Sequence, residues 1–399
     1  MLTGKTVVLG VTGGIAAYKM PNVARMLKKM HCNVHVIMTQ NATNFITATT
    51  FETLTGNKCL IDTFDRNFEF SVEHVAIAKQ ADLVLIAPAT ANVIGKIAGG
   101  IADDMLTTTV MACTCKILIA PAMNHNMYHN SIVQENIEKL KRHGYEIIDP
   151  VCGMLANGDT GDGKLPSEET LVSYVVRELA HEKDLHGKKV LVTAGPTQEA
   201  IDPVRYITNH STGKMGYALA EAAMLRGAEV TLISGPTAIE PPMFVNVIPI
   251  ISAQEMFEKV ATNATENDII IKAAAVADYR PKEVCDEKIK KSDHDTEIEL
   301  ERTTDILAYL GKNKGKIFLC GFSMETENML ENSRRKLDKK NLDMIVANNL
   351  KDKGAGFGVD TNLITIITRD QELQLELMSK QDAANCILDE IIRKIGNRE

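Results

Sequence analysis

Short apolar runs alternate with helix-like stretches along the first half of the chain. Four such runs, rich in β-branched and aliphatic residues, are typical of buried parallel strands: "KTVVLGV", "NVHVIMT", "ADLVLIAPAT" and "CKILIAPAM". Stretches between them, such as "AAYKMPNVARMLKKM", have the apolar spacing of amphipathic helices. This alternation predicts a doubly wound α/β domain. A further helix, "SEETLVSYVVRELAHEK", is predicted to begin after Ser167, with glutamate in its first turn.

A second series of strand-like runs follows the polar break "DLHGKK". Its members are "KVLVTAG", "AEVTLISG", "NDIIIKAAAV", "IFLCGF", "LDMIVANN" and "NLITIITRD", and a closing helix is predicted from about Gln381. A chain of 399 residues is too long for one ordinary hydrophobic core. We therefore predict the class α/β with two doubly wound domains, 1–186 and 187–399.

The composition is that of a soluble globular protein, with 45% hydrophobic and 24% charged residues. No run is apolar enough to span a membrane, and the first residues enter a strand without signal-peptide features, so a cytoplasmic location is expected. The net charge of −8 argues against nucleic-acid and membrane partners. Eight scattered cysteines without a C-x-x-C pair indicate neither disulfides nor a zinc site.

Residues that follow the strands of the first half carry its candidate chemistry, because ligands of open α/β sheets bind beyond the carboxyl ends of the strands. Gly13 and Gly14 would admit a ligand close to the backbone, with helix amides facing a phosphate. Thr39, Thr90 and Asn92, together with the segment "PAMN", follow the next three strands. We predict a mononucleotide site at this edge.

Two residues of this region allow a simpler interpretation. His74, in "SVEHVAIA", is a lone histidine, and such residues more often have a structural role than a catalytic one. Asn124, in "PAMN", has the residue type of a helix N-cap.

The loop "GMLANGDTGDGKLP", residues 153–166, allows three interpretations: a calcium loop, a surface turn, or a lid over a small anionic ligand. The spacing argues against calcium, because Gly161 stands at a ligand position and Asp162 stands where the required glycine should be. A surface turn is the default for a cluster of glycine and aspartate. A lid is favoured only with support from other segments.

That support comes from the combination "GGIAAYK", "SVEHVAIA", "APATAN", "GKIAGGIADDML", "PAMN" and the Gly-rich loop, which together resemble the FMN-dependent cysteine decarboxylases. The resemblance implies a flavodoxin-like domain that decarboxylates phosphopantothenoylcysteine. His74 would be the catalytic base, Asn124 would hold the substrate carboxylate, and Asp159 would contact substrate. The residues implied to hold FMN are Gly13, Gly14, Ile15, Ala16, Thr39, Thr90, Asn92 and Met123.

One position departs from this family. Loss of CO2 from a saturated carboxylate needs prior oxidation of the thiol end by the flavin, and a proton must later be delivered to carbon. The cysteine that donates this proton in the family falls on Asn157, whose amide is not acidic enough to replace it. Cys152 or a water could donate the proton instead, or the second half-reaction is impaired.

In the second half, "TAGPTQEAIDPVRYITNHSTGKMG" is longer than a structural turn requires and supplies many anion donors, but it is not a Walker A loop. The segments "AAAVADYRP" and "KIKK" follow it. Taken alone, "EKIKKSD" is typical of a solvated charge run. In this order the three segments resemble the phosphopantothenate–cysteine ligases, which implies a Rossmann-like domain.

The ligase resemblance implies that CTP converts 4'-phosphopantothenate to an acyl-cytidylate, which the amine of cysteine then attacks. Lys288 would offset charge on the phosphates and Asn209 would orient the acyl-cytidylate, with Mg2+ bridging the CTP phosphates. Lys272 and Thr212 depart from the family pattern. The residues implied to contact CTP, besides Lys288, are Ala273, Ala274, Asp278, Thr303, Thr304, Asp305, Ile306, Phe322, Lys336 and Lys340.

Two other functions compete with this two-step enzyme of coenzyme A biosynthesis. A peptide-cysteine decarboxylase would suit Asn157 but leaves the ligase motifs unexplained. Flavin-domain relatives that act as inhibitory subunits of phosphatases form a second class, against which the intact His74, Asn124, Asn209 and Lys288 argue. The resemblance further implies homo-oligomers, built from trimers of the flavin domain with shared active sites and from dimers of the ligase domain.

Overall fold

The chain forms two compact units, Met1–His181 and Glu182–Glu399, in this computed structural model. The structure describes residues 2–64, 73–154, 160–291, 297–325, 328–349, 356 and 358–396. The domain boundary predicted after residue 186 lies a few residues further along the chain than the observed boundary between His181 and Glu182. Within the described ranges, no helix has both the length and the apolar character needed to cross a bilayer.

The first unit is built on a parallel sheet with strand order β2-β1-β3-β4-β5. Its strands are β1 Thr6–Val11, β2 Asn33–Met38, β3 Leu83–Ala89, β4 Lys116–Pro121 and β5 Glu146–Ile147. Its helices are α1 Met20–Lys29, α2 Ala48–Thr55, α3 Glu73–Gln80, α4 Ala91–Gly99, α5 Met105–Ala112, α6 His125–Tyr128, α7 Ser131–Arg142 and α8 Glu168–Leu179.

Helices cover both faces of this sheet, which explains why its strands are apolar throughout rather than alternating. Successive strand residues point to opposite faces. Val7 and Leu9 accordingly pack in one core layer with α1 and α8, whereas Val8 packs in the other with α4, α5 and α7. The doubly wound architecture expected from the sequence is confirmed for this unit.

Two local features differ from the predicted elements. The helix expected directly after Gly14 begins as a 3-10 turn, Ile15–Lys19, and α1 starts only at Met20, because Pro21 lacks an N–H and suits a first helical turn. The Gly-rich loop forms an antiparallel hairpin of β6 Val151–Met154 and β7 Thr160–Lys164. Asn157 and Asp159 lie outside the described residues.

The second unit has an eight-stranded sheet with order β12-β11-β8-β13-β16-β17-β19-β20. Its sheet strands are β8 Lys189–Ala194, β11 Glu229–Ser234, β12 Asn246–Pro249, β13 Ile269–Lys272, β16 Phe318–Glu325, β17 Met344–Asn349, β19 Thr365–Thr368 and β20 Glu372–Gln374. Short pairs lie outside it: β9 Gln198–Ala200 with β10 Tyr206–Thr208, β14 Tyr279–Pro281 with β15 Leu300–Arg302, and β18 Thr361–Asn362 with β21 Met378–Ser379.

This sheet is parallel as far as β17 and antiparallel at β19 and β20. A tight turn, in which Thr368 N–H donates to the carbonyl of Gln371, joins the last two strands and forces the antiparallel direction. The helices that complete the unit are α9 Lys214–Leu225, α10 Ala253–Asn263, α11 Ile306–Lys312, α12 Met329–Lys339 and α13 Lys380–Gly396.

Helix α9 lies directly on the end of β8, and this contact depends on a glycine. A Cβ added at Gly216 would stand 2.5 Å from the Cβ of Ala194. We expect Gly216→Ala to lower the free energy of unfolding by about 1–3 kcal/mol, because neither backbone can move away cheaply. Urea unfolding followed by circular dichroism measures the loss. Gly396→Ala, where no atom lies within 4 Å, is the control, and equal midpoints for the two variants would contradict the prediction.

Candidate active sites

A cavity of about 600 Å³ lies at the carboxyl edge of the first sheet. It is enclosed by the residues that follow β1, β3 and β4 and by the hairpin β6–β7, which covers it from the side. Such a volume is within the usual range for cofactor sites. The predicted residues that line it are Gly13, Gly14, Ile15, Ala16, Thr90, Met123 and Asn124.

The backbone beyond β1 approaches its surroundings closely. A Cβ at Gly13 would lie 2.5 Å from that of Asn41, so this position requires glycine. A Cβ at Gly14 would instead point into the cavity, 3.7 Å from Thr90 Cγ2. Thr12, fully buried, donates its hydroxyl proton to the carbonyl of Pro88 at 2.6 Å and accepts from the amide of Thr90 at 3.1 Å, which holds the two strand ends together.

Thr39 presents an unusual buried hydroxyl. Its residue is 9% exposed, and its Oγ1 has no hydrogen-bond partner in the described part of the chain. Although Thr39 precedes the 3-10 turn Gln40–Asn44, its side chain does not cap that turn. Because buried polar atoms are normally satisfied, this hydroxyl suits a ligand that supplies the missing acceptor or donor. Neither Thr39 nor the exposed Asn92 is among the residues that line the first cavity.

Asn124 combines the two interpretations offered by the sequence. Its Oδ1 accepts from the amide of Asn126 at 2.9 Å and so caps α6, while its residue lines the cavity. The side-chain nitrogen has no hydrogen bond to any described residue, and it is therefore available to an anionic group.

The hairpin is fastened to α6 by close contacts of its glycines. A Cβ at Gly163 would lie 2.2 Å from the carbonyl oxygen of Met123, whose amide donates to the carbonyl of Gly163 at 3.0 Å. The backbone amide of Asp162 donates to His125 Nδ1 at 3.2 Å. The carboxylate of the same aspartate lies 3.1 Å from His129 Nε2. Glycine at position 163 is thus required by a close backbone contact.

His74 is placed apart from this cavity. It is the second residue of α3, is partly exposed, and does not line the cavity formed within one chain. Cys152, on β6, has an exposed thiol and does not line it either. One chain therefore brings Asn124 to the cavity without bringing His74.

A second cavity, of about 500 Å³, lies at the carboxyl edge of the second sheet. Every residue predicted to contact CTP lines it except Lys288, and Asn209 lines it too. The predicted members are Asn209, Ala273, Ala274, Asp278, Thr303, Thr304, Asp305, Ile306, Phe322, Lys336 and Lys340.

Hydrogen bonds fix the backbone walls of the second cavity. Asn209 Nδ2 donates to the carbonyl of Ala275 at 3.0 Å, and Thr303 Oγ1 donates to that of Ala277 at 2.6 Å. The buried Thr193 accepts from the amide of Ala274 at 3.1 Å. The segment that follows β13 is therefore held rigid along its length, as preorganised binding requires.

Charged side chains that line the second cavity form ion pairs and hydrogen bonds with one another and with neighbouring groups. Lys340 Nζ lies 2.9 Å from Asp305 Oδ2, and Asp305 Oδ1 also caps α11 by accepting from Ala308 N–H at 3.0 Å. Burial alone would raise the pKa of Asp305, but these contacts outweigh it and hold the pKa below its usual value. Lys336 Nζ donates to Ser323 Oγ at 3.3 Å.

Lys288 lies on an exposed segment anchored by its neighbour. Asp202, whose residue is 2% exposed, accepts from Ile289 N–H at 3.1 Å and forms an ion pair with Arg205. Arg205 also donates to the carbonyl of Ile289 at 2.8 Å. The Arg205 guanidinium and backbone amides hold the pKa of Asp202 well below its usual range despite burial. Arg205, which belongs to the segment of anion donors at residues 193–216, thus serves as this anchor.

Several lining residues were not predicted. In the second cavity they include Asn348 at the end of β17, Asn362 on β18 and Lys380 at the start of α13. In the first they include Tyr18, Met127 and Met154. The rule of looking beyond strand ends could have found Asn348, whereas Lys380 follows no strand of the main sheet and carries no local signal.

Comparison with known proteins identifies both units. A family model described as "Flavoprotein" matches residues 1–180, and one described as "DNA/pantothenate metabolism flavoprotein C-terminal domain" matches residues 185–395. The "Coenzyme A biosynthesis bifunctional protein CoaBC" of Bacillus subtilis (strain 168) is 49% identical over 395 residues, 98% of this chain and 97% of that protein. The protein of the same name in Escherichia coli (strain K12) is 39% identical over 401 residues, which are 100% of this chain and 99% of that protein.

Among solved structures, the C-terminal domain of a bifunctional protein of the same name matches with a TM-score of 0.47 and 45% identity, covering 54% of this chain and 100% of that one. Because the full-length relatives are matched from end to end well above 30% identity, the chain belongs to the family of bifunctional coenzyme A biosynthesis proteins.

Proposed function

We propose that this protein joins cysteine to 4'-phosphopantothenate in its C-terminal unit, with CTP, and decarboxylates the product to 4'-phosphopantetheine in its N-terminal unit, with FMN. The observation that carries the proposal is the second cavity, which gathers the predicted CTP residues from four separate stretches of chain, together with Asn209. Membership of the bifunctional family supports both halves.

For the ligase step, a carboxylate is a poor electrophile until it is joined to CMP as a mixed anhydride. The rigid segment after β13 would bind the nucleotide through its backbone, and Asp278 and Asp305 would offer carboxylates to the ribose or base. Lys336, Lys340 and Lys288 would stabilise charge on the phosphates, and Mg2+ bound with CTP would supply further positive charge there. Asn209, held by Ala275, would orient the acyl-cytidylate toward the amine of cysteine.

For the decarboxylase step, the cavity beside the hairpin fits a flavin. Its walls are mostly apolar, which suits a flat ring, while the glycines after β1 leave room for a phosphate. Thr39, Thr90 and Asn92 would hold the cofactor's polar groups. When bound, FMN would supply reversible two-electron oxidation of the substrate. Asn124 would bind the substrate carboxylate, and His74 would move the proton.

The orphaned hydroxyl of Thr39 gives this fit a direct test. We expect Thr39→Val to leave the thermal midpoint of the flavin-free protein unchanged or slightly higher, because no internal hydrogen bond is lost. FMN affinity should fall about tenfold through the loss of one hydrogen bond to a charged group. Flavin fluorescence titration measures the affinity. Thr39→Ser keeps the hydroxyl and is the control; a midpoint lowered by the valine would show that the hydroxyl has a structural partner.

The separation of His74 from the cavity that Asn124 lines supports an active site shared between subunits. Apolar side chains around the cavity are unusually exposed in one chain, including Tyr18 at 60% and Met154 at 71%. Exposed apolar patches of this kind mark interfaces. We propose that trimers of the flavin unit bring His74 of one subunit to the cavity of the next, and that the ligase units pair as dimers. Cys152 or a water would donate the proton in place of the family cysteine, or the second half-reaction is impaired. A cytoplasmic location is also part of this proposal.

Incubation with 4'-phosphopantothenate, cysteine and CTP, followed by mass spectrometry, tests the whole proposal. Phosphopantetheine as the main product is the expected result. An accumulating enethiol would mean that Asn157 blocks the final protonation. Absence of any CTP-dependent product would overturn the ligase half of the proposal. If the protein then decarboxylated a peptide that ends in cysteine, the peptide-cysteine decarboxylase would be favoured. Yellow purified protein that turns over CTP would argue against the inhibitory-subunit class, whereas flavin binding without turnover in either unit would favour it.

A further inference from the structure

Lysines dominate the charge of the second cavity, and most of them already interact within the protein. Lys340 pairs with Asp305 on the cavity wall, as described above. The other contacts join Lys214 Nζ to Asp360 Oδ1 at 2.6 Å, Lys336 Nζ to Ser323 Oγ at 3.3 Å, and Lys380 Nζ to the carbonyl of Gly356 at 3.0 Å.

Lys272 is the exception among the lysines that line this cavity. It is the last residue of β13, in register with Thr193 of β8 on one side and Gly321 of β16 on the other, so it lies in the middle of the carboxyl edge of the sheet. Within the ranges that the structure describes, its ammonium makes no hydrogen bond and no ion pair.

The surroundings make this position costly for an unpaired charge. Burial, and after it the nearby ammonium of Lys340, lower the pKa of Lys272 to about 8. Asp305 and Asp278 oppose these effects, yet neither comes within ion-pair distance and Asp305 already pairs with Lys340. Lys272 is partly exposed where it lines the cavity, and an ammonium that has lost part of its water without gaining a partner costs stability, whereas an anion in the cavity would pair with it.

We propose that Lys272 is an anion-binding residue of this cavity and that its ammonium binds a phosphate group of the substrate. The proposal rests on the ligase function proposed above and adds a residue to it. CTP and 4'-phosphopantothenate both carry phosphate, so each is a candidate source of the bound group. A compact ammonium on a flexible stem suits such a point contact.

Lys272→Met tests the proposal, because methionine keeps most of the volume and removes the charge. The full-length protein is titrated by calorimetry at pH 7 and pH 9 with CTP, with 4'-phosphopantothenate and with inorganic triphosphate. At pH 7 we expect the variant to bind one substrate about tenfold more weakly than the unsubstituted protein, by loss of a charge-assisted contact. The substrate that is affected identifies the source of the phosphate.

The dependence on pH provides a second readout. Because the pKa of Lys272 is about 8 in the free protein, its charge is present at pH 7 and largely lost at pH 9. Affinity of the unsubstituted protein should therefore fall across this interval, and that of Lys272→Met should fall less, with only the part that Lys380 contributes, since burial also lowers the pKa of that cavity lysine. Lys312→Met, which removes an exposed lysine on α11 outside the cavity, should keep both the affinity and its pH dependence.

Stability without ligand should change in the opposite direction. The folded pKa lies below the unfolded one, so the charged lysine costs stability below pH 8, and that cost is relieved as pH rises toward the unfolded pKa. Lys272→Met should thus raise the thermal midpoint at pH 7, and by less at pH 9. A lowered midpoint would show an internal partner and overturn the proposal.

The outcomes separate this proposal from the ligase assignment. Unchanged affinity of Lys272→Met for all three ligands, with tight binding to the unsubstituted protein, overturns the role of Lys272 alone. Triphosphate binding that depends on Lys272, without binding of CTP, supports the anion site and overturns the ligase assignment. Absence of binding by all three ligands overturns both.

Discussion

His74→Gln is expected to lower the rate of decarboxylation by about two to four orders of magnitude, the usual contribution of a positioned acid–base group. Glutamine keeps polarity and size but cannot carry the proton. The substitution lies in the N-terminal unit, so CTP-dependent ligation by the same polypeptide should continue at its original rate. Release of CO2 from supplied phosphopantothenoylcysteine and release of pyrophosphate from CTP measure the two activities, and the second is an internal control for folding.

A mixture of two inactive variants tests where His74 acts. Asn124 lines the cavity and His74 does not, so chains carrying His74→Gln co-expressed with chains carrying Asn124→Ala should form hybrid oligomers in which about a quarter of the sites receive both native residues. We expect that share of the decarboxylase activity to return. No recovery in verified hybrids would show that both residues serve the same cavity of one chain, and normal activity of His74→Gln alone would remove His74 from the reaction.

Lys288→Gln is expected to lower CTP-dependent ligation by roughly a hundredfold or more, because a preorganised charge acting on the reacting phosphates is worth several kcal/mol in a shielded site. Lys288 is exposed and lies outside the cavity, while Ile289 beside it is anchored by Asp202 and Arg205. The ammonium would therefore act on the phosphates from a segment whose backbone is anchored. Decarboxylation of supplied phosphopantothenoylcysteine should be unaffected.

Lys290→Gln is the matched control for this substitution, since it removes an exposed lysine of the same charge run two positions away. It should change ligation only slightly. Equal losses of ligation rate in the two variants would mean that the charge run acts through its total charge. No loss of rate in either variant would show that "EKIKKSD" is only a solvated charge run, as its composition suggests. Pyrophosphate release with saturating substrates gives the rate, and CTP titration separates binding from chemistry.

The strands were predictable from sequence because both faces of each central strand are buried, which leaves continuous apolar runs such as that of β3. The direction of the last strands was not predictable in this way. β19 is as apolar as the parallel strands of the same sheet, yet it pairs antiparallel with both β17 and β20. An apolar run shows that a strand is buried but does not encode the direction in which it pairs.

The candidate sites follow a similar division. Carboxyl ends of parallel strands meet at one edge, so residues after β1, β3 and β13 could be grouped from the sequence alone. The orphaned hydroxyl of Thr39, the contact of Gly163 with Met123 and the position of Lys380 arise only from packing between distant segments. None of them leaves a periodic or local signal.

The order of apolar runs, the glycines after the strands and the motif combination were sufficient to determine the α/β class and the family. Only the tertiary structure decided which charges are satisfied: it paired Lys340 with Asp305, left Lys272 without an ion pair in the described chain, and separated His74 from Asn124. The physical reason is that local sequence specifies backbone form through burial and propensity. Pairing of charges instead depends on distances between residues far apart in the chain, which are settled only when the sheets and helices pack.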